Sequence, residues 1–202
     1  MSATPERRRR LDHETVLATA EVLIDQHGLD ALTMTMLAGE LGTKVSSLYN
    51  HVANLEDLRG EIQVRAMEQL AVVVRSSAMG RSGKDGLRAI AEAFLAFARE
   101  RPHRYDAMTR APLDRDRYFA AAAGAIEAVA VMVGTTGVDQ RDNLAFEMAL
   151  FAALHGYASL ETGGFLGPID GDLIDPGLVF DLVVEGAIGA VLNRAKVAAE
   201  PE

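Results

Sequence analysis

Between positions 43 and 52, Thr43, Lys44, Ser46, Ser47, Tyr49, Asn50 and His51 bring together hydroxyls, an ammonium, a carboxamide, a phenol and an imidazole. At helical spacing Val45, Leu48 and Val52 take one face and leave these polar groups on the other. Donors and a single cation suit contact with phosphates and base edges. Immediately upstream, Thr33 is a good N-cap for a short helix through Leu37 and Ala38 to Leu41, and Gly42 stops it. A short helix, a glycine turn and a second short helix have the spacing of a helix-turn-helix, whose second helix enters a DNA major groove.

Two further groups of residues invite a functional reading. Tyr105, Met108, Phe119, Phe146, Phe151, His155 and Phe165 are mostly apolar groups at helical spacing. They suit either a solid core or the wall of a pocket for a small, mostly hydrophobic ligand. Glu161 stands close enough along the chain to pair with His155. Ala152, Gly156, Gly186, Gly189 and Ala190 are small enough to let helices approach closely, within one chain or between two.

Enzymatic chemistry lacks its parts. Gly83-Lys84 has no glycine at the spacing a phosphate-binding loop needs, and Asp85 stands where that loop carries a hydroxyl. Gly-x-Ser-x-Gly, His-Glu-x-x-His and calcium-loop patterns are missing, and the five histidines are dispersed. Cysteine is absent, which excludes disulfides, thiolate nucleophiles and cysteine-held metal centres. The expectation is a non-enzyme without cofactor or metal.

The elements that must position these residues are helices. Val16, Leu17, Ala20, Leu23, Ile24 and His27 form one face, ended by Gly28. After Asn54, with Asp57 completing a variant capping box, Leu55, Leu58, Ile62, Ala66, Leu70 and Val74 recur three and four apart. Met79–Gly86 reads as a break. Leu87, Ile90, Ala91, Phe94 and Ala98 define the next helix, which must stop near Pro102. Asp114 caps an alanine-rich helix ending at Gly134–Gly137, Asp139 opens one that stops at Gly163-Gly164, and Asp175-Pro176 starts the last. Alternating strand patterns are missing, so the fold is expected to be all-α, with about nine helices and no sheet.

Bulk properties narrow the role. A chain of 202 residues suits one or two domains, and 49% hydrophobic residues fits a globular protein. The net charge of −9 argues against a general nucleic-acid coat, so any DNA contact must be local and geometric. Arg7–Arg10 is the one concentrated cationic run. The apolar stretches Phe119–Gly134 and Leu144–Ala158 read as too short to span a bilayer and are interrupted by Glu127 and Glu147. A soluble, cytoplasmic protein without membrane contact is expected. A helical small-molecule carrier or sensor without operator binding is the alternative consistent with the negative charge.

The segment from Arg10 to Leu58, with Leu11-Asp12 at its front and Leu48-Tyr49-x-His51-Val52-x-Asn54 at its back, resembles the DNA-binding domain of the TetR family of bacterial transcriptional regulators. Ala152-Ala-Leu-His155-Gly156, followed by Ser159-Leu-Glu161, is similar to a branch of its effector domains marked by a Trp-His-Gly-like motif, with Leu154 in place of the tryptophan. The resemblance implies a flexible basic arm over 1–9, a helix-turn-helix domain over 10–58, a connecting helix over 59–79 and a ligand-binding, dimerising half over 80–200. It implies that Thr33 caps and touches phosphate, that Lys44, Ser46, Ser47 and Asn50 face the groove, and that Tyr49 and His51 bind backbone phosphates. It implies a homodimer, built through the last two helices, that binds double-stranded operator DNA, most simply as a repressor, and a small-molecule effector that releases it. Thr35 stands where many members carry an arginine, Lys44 where many carry a serine, and Leu55 where many carry a lysine. Fewer phosphate partners imply weaker or more salt-tolerant binding, or compensation by Arg7–Arg10.

Overall fold

A computed structural model describes residues 11–138, 143–167 and 174–199. Arg7–Arg10 and Asp139 therefore lie outside the described residues. Among those described there are helices and turns and no strand. The helices are α1 (His13–His27), α2 (Met34–Glu40), α3 (Val45–Leu48), α4 (Leu55–Ala78), α5 (Gly83–Glu100), α6 (Pro102–Thr109), α7 (Arg115–Gly134), α8 (Asn143–Thr162) and α9 (Pro176–Ala199).

Local chemistry places most of the boundaries. Asp12 accepts from the Thr15 amide, Thr33 from Met36, Asn54 from Asp57 and Asp114 from Arg117, each satisfying an amide that a first helical turn leaves unpaired. The Asp57 carboxylate accepts from the Ala53 amide at 3.3 Å, one residue before the cap, so the box is displaced by one position. Asp175 accepts from Gly177 and Leu178, and Pro176 opens α9. Gly28 has φ +85° and Gly42 φ +60°, and both end helices where L side chains are strained.

One boundary differs from the sequence reading. The break after α4 spans only Met79–Ser82, because Gly83 and Gly86 belong to α5. Gly86 lies under the Met132 sulfur of α7, where an added Cβ would collide with it, so this glycine serves close helix approach and not chain breaking. The helix containing Phe119 begins at Arg115, behind the expected Asp114 cap, one turn before the apolar stretch counted from Phe119. Arg115–Gly134, and likewise Pro176–Asn193, are then long and apolar enough to cross a bilayer by length and composition, each with mean hydropathy 1.4. The run counted from Phe119 omitted the turn that Asp114 caps.

Two cores form. The first joins α1, α2 and α3 through Val16, Leu17, Ile24, Leu37, Leu48 and Val52, and draws in Leu58 and Ile62 of α4 and Ala107 of α6. The second runs from Ala66 of α4 through α5, α7 and α8 to Val191 of α9. α4 thus belongs to both, its first turns in the head and its later turns in the C-terminal bundle. Gln63, 2% exposed, sits between them: its amide donates to the Ala107 carbonyl at 3.0 Å and the Ala111 carbonyl at 3.3 Å, and its oxygen accepts from the Leu113 amide at 3.0 Å. A second tie joins α1 to α4 and α6. The buried Arg104 guanidinium donates to Asp25 at 3.1 Å and Gln69 at 2.8 Å and pairs with Glu21 at 3.3 Å.

Candidate DNA interface and ligand cavity

The polar segment of the sequence forms one outward surface. Leu48 and Val52 are 0% and 3% exposed and Val45 is half-buried, so the short α3 is anchored on its apolar side. Lys44, Ser46, Tyr49 and Asn50 are exposed, and Thr43, Ser47 and His51 are partly so. Although α3 is only one turn, the Val52 amide donates to the Leu48 carbonyl at 3.0 Å and carries the coil past His51. Lys44 occupies the N-cap position with extended backbone and makes no side-chain cap bond. Tyr49 remains 53% exposed, a large phenol held in solvent beside donors. Thr33, also exposed, accepts from the Met36 amide at 3.1 Å. The surface offers donors and one cation on a rigid support, the chemistry of phosphate and base-edge contact.

Behind the head, α4, α5, α7, α8 and the segment 109–112 enclose a cavity of about 400 Å³. That volume is ample for a small organic ligand. Its wall is almost entirely apolar, with Leu70, Val74, Phe94, Ile126, Leu154 and Met148 among its members. Phe119 and Phe151 also line it. The remaining residues singled out from sequence lie elsewhere. Tyr105 and Met108 are buried in the adjoining core, Phe146 is half-buried against it, and Phe165 is 70% exposed beyond the end of α8. His155 does not pair with Glu161. It meets the Tyr105 hydroxyl at 2.7 Å and stacks on Phe151, with ring centroids 5.8 Å apart. Glu161 instead receives two hydrogen bonds from Arg99 and one from Tyr157, and the Arg99 guanidinium holds its carboxyl below the usual range.

Besides Thr109, three polar groups at the cavity escaped the sequence reading as site residues. Arg110 lines it and pairs with Asp30 of the head and Asp106. Tyr118 lines it and donates to the Met108 carbonyl at 2.6 Å; burial pushes its phenol up to about 12. Glu147 is 8% exposed, lines the cavity, and its carboxyl is raised above the ordinary range by desolvation. Helical spacing held a sign of it: Glu147 shares a stripe with Leu150, Leu154 and Ala158, all buried. No group of metal-ligating side chains occurs among the described residues.

The small residues of the last two helices face outward. A Cβ added at Gly156, Gly186 or Gly189 would meet nothing within 4 Å, so none of them permits a close approach inside this chain. Leu144, Met148, Ala152, Gly156 and Leu160 form an exposed row on α8, and Leu178, Leu182, Gly186 and Ala190 form another on α9. Four-residue steps place each row along one ridge of its helix.

Two family models match the chain. Residues 16–62 match the bacterial regulatory proteins of the tetR family, and residues 87–186 match the tetracyclin repressor-like C-terminal domain. An uncharacterized HTH-type transcriptional regulator of Mycobacterium tuberculosis, Rv0681, is 35% identical over 86% of this chain and 80% of its own length. Among solved structures, a TetR variant from Acinetobacter baumannii in complex with minocycline superposes with a TM-score of 0.70 at 17% identity, covering 95% of this chain and 98% of that one. The regulator SCO7222, a TetR from Streptomyces coelicolor, gives a TM-score of 0.68 at 20% identity over 95% and 100% of the two chains. At those identities the structural likeness speaks for the fold.

Proposed function

This chain belongs to the TetR family of DNA-binding transcriptional regulators, and from that premise we propose that it is a repressor that binds a pseudo-palindromic operator as a homodimer and is released by a small, mostly apolar effector. Lys44, Ser46, Ser47 and Asn50 read the groove, while Thr33, Thr43, Tyr49 and His51 hold phosphates. The outward apolar rows of α8 and α9 support the dimer: contiguous exposed apolar surface on a folded chain marks an interaction site, and the small residues within the rows let partner helices come close.

The single observation that carries the ligand response is Gln63. One side chain of the connecting helix is hydrogen-bonded to Ala107, Ala111 and Leu113, and Ala111 is part of the cavity wall. A ligand that displaces segment 109–112 therefore acts on α4 and α6, which both contribute to the core of the head. Its leverage equals its differential affinity for the two head arrangements, typically about 1–3 kcal/mol.

The test is selection of bound fragments from a random DNA pool with the full chain. Two inverted half-sites with centres about 34–36 Å apart are the expected product. Recovery of no sequence above background at low salt overturns the operator reading.

A further inference from the structure

Among the described residues Glu147 makes no hydrogen bond or ion pair, although the residue is only 8% exposed. A carboxylate on a mostly buried residue, desolvated and without a partner, is costly, and in a finished protein such a group calls for an explanation. Its position supplies one, because it lines the cavity between α4, α5, α7 and α8. The other ionised group there, Arg110, is already neutralised by two carboxylates. Asp30 accepts from it at 2.7 and 2.9 Å, and Asp106 at 2.8 and 3.2 Å. The cavity therefore carries an excess of negative charge and no free cation with which to receive an anion. The rest of its wall includes Phe94, Phe151 and Met148, aromatic rings and a polarisable thioether. These surfaces attract organic cations as well as neutral apolar groups.

We propose that the cavity takes an amphipathic organic cation, an apolar body bearing a protonated amine, with the ammonium paired to the Glu147 carboxylate. This rests on the reading of the cavity as the effector site and names the ligand class. An ammonium supplies the missing donors. It also replaces the costly isolated charge with a charge-assisted hydrogen bond against a mostly apolar wall. A carboxylate-bearing ligand of the same shape meets Glu147 as a like charge, and an alcohol offers only a neutral donor.

The full-length protein is titrated calorimetrically with three compounds that share a naphthylbutyl body and end in a primary ammonium, a hydroxyl or a carboxylate. The ammonium compound should bind at least about tenfold more tightly than the alcohol, and the carboxylate more weakly than either. In Glu147→Gln the ammonium-to-hydroxyl ratio should fall to about twofold or less. Because that ratio is taken within one protein, a change in stability cancels from it. Equal binding of ammonium and alcohol by the wild-type chain overturns the cation assignment and leaves the effector cavity standing. A tenfold ratio that survives in Glu147→Gln overturns Glu147 as the recognising group. If none of the three compounds binds, the cavity reading falls and the ligand class falls with it.

Discussion

Arg110 and Asp30 join the wall of the cavity to the DNA-binding head directly, through two parallel hydrogen bonds of 2.7 and 2.9 Å across eighty positions of sequence. Asp30 lies in the turn between α1 and α2, and Arg110 follows α6, so the pair spans the two cores. The guanidinium holds the Asp30 carboxyl below its usual range. The Asp30 side chain is 77% exposed and that of Arg110 40%, and solvent-reached pairs of this kind contribute little to stability, but the pair links the two halves. Arg110→Ala should leave the melting temperature nearly unchanged. It should reduce the ligand-induced loss of operator affinity several-fold from the wild-type response, which typically lies between about 5-fold and 150-fold. Operator affinity measured with and without a cavity ligand checks this, and an undiminished response in the variant removes Arg110 from the route.

On the DNA side, Asn50 and the Arg7–Arg10 run should separate cleanly. Asn50→Ala should cost roughly 1–3 kcal/mol at one base pair and relax preference there. Deletion of Arg7–Arg10 should weaken all sequences alike and flatten the dependence of affinity on salt. Titrations against operator point variants at two salt concentrations distinguish the two. A changed sequence preference in the tail deletion, with none in Asn50→Ala, contradicts the assignment.

The open surroundings of Gly189 make a sharp test of the dimer. Since an added Cβ there meets nothing inside the chain, Gly189→Leu should leave the fold of one protomer intact. If α9 meets a partner at that point, overpacking costs on the order of 1–3 kcal/mol and shifts the protein toward monomer with loss of operator binding. Sedimentation at micromolar concentration reads this directly. A variant that stays dimeric, or a wild-type chain that is monomeric, places the interface elsewhere.

Glu147 should also make stability depend on pH in a predictable sense. Its folded carboxyl is raised by burial, so its contribution is fully present below the ordinary carboxylate range and is lost as pH rises through the raised value. Neighbouring cavity groups do not titrate in that window: Arg110 stays charged, and Tyr118 stays neutral up to about 12. Glu147→Gln should therefore match the wild type near about pH 4 and melt higher near about pH 7, with each kcal/mol worth about 2–4 °C in a chain of this size. A difference in melting temperature that does not change with pH contradicts the burial of an unpaired charge.

Much of the head was legible in the amino-acid order. Thr33, Asn54 and Asp114 cap helices because a side-chain oxygen reaches the amide three residues on, a relation that depends on neighbours alone. Leu48 and Val52 turn inward, and Lys44 and Asn50 outward, because helical periodicity separates them. The C-terminal half resisted the same treatment. Phe151 lines a cavity and Phe165 stands in solvent, yet both are phenylalanines at plausible spacing. His155 meets Tyr105, fifty positions away, and leaves nearby Glu161 to Arg99. Where α4, α5, α7 and α8 cross decides which side chains close a void, and those crossings rest on long-range packing such as Met132 settling over Gly86. The sequence by itself therefore determined an all-helical regulator with a polar recognition surface. Only the tertiary structure decided that Glu147 is mostly buried with no partner among the described residues and that Arg110 ties the cavity to the head, because burial and pairing across dozens of residues are properties of the packed chain.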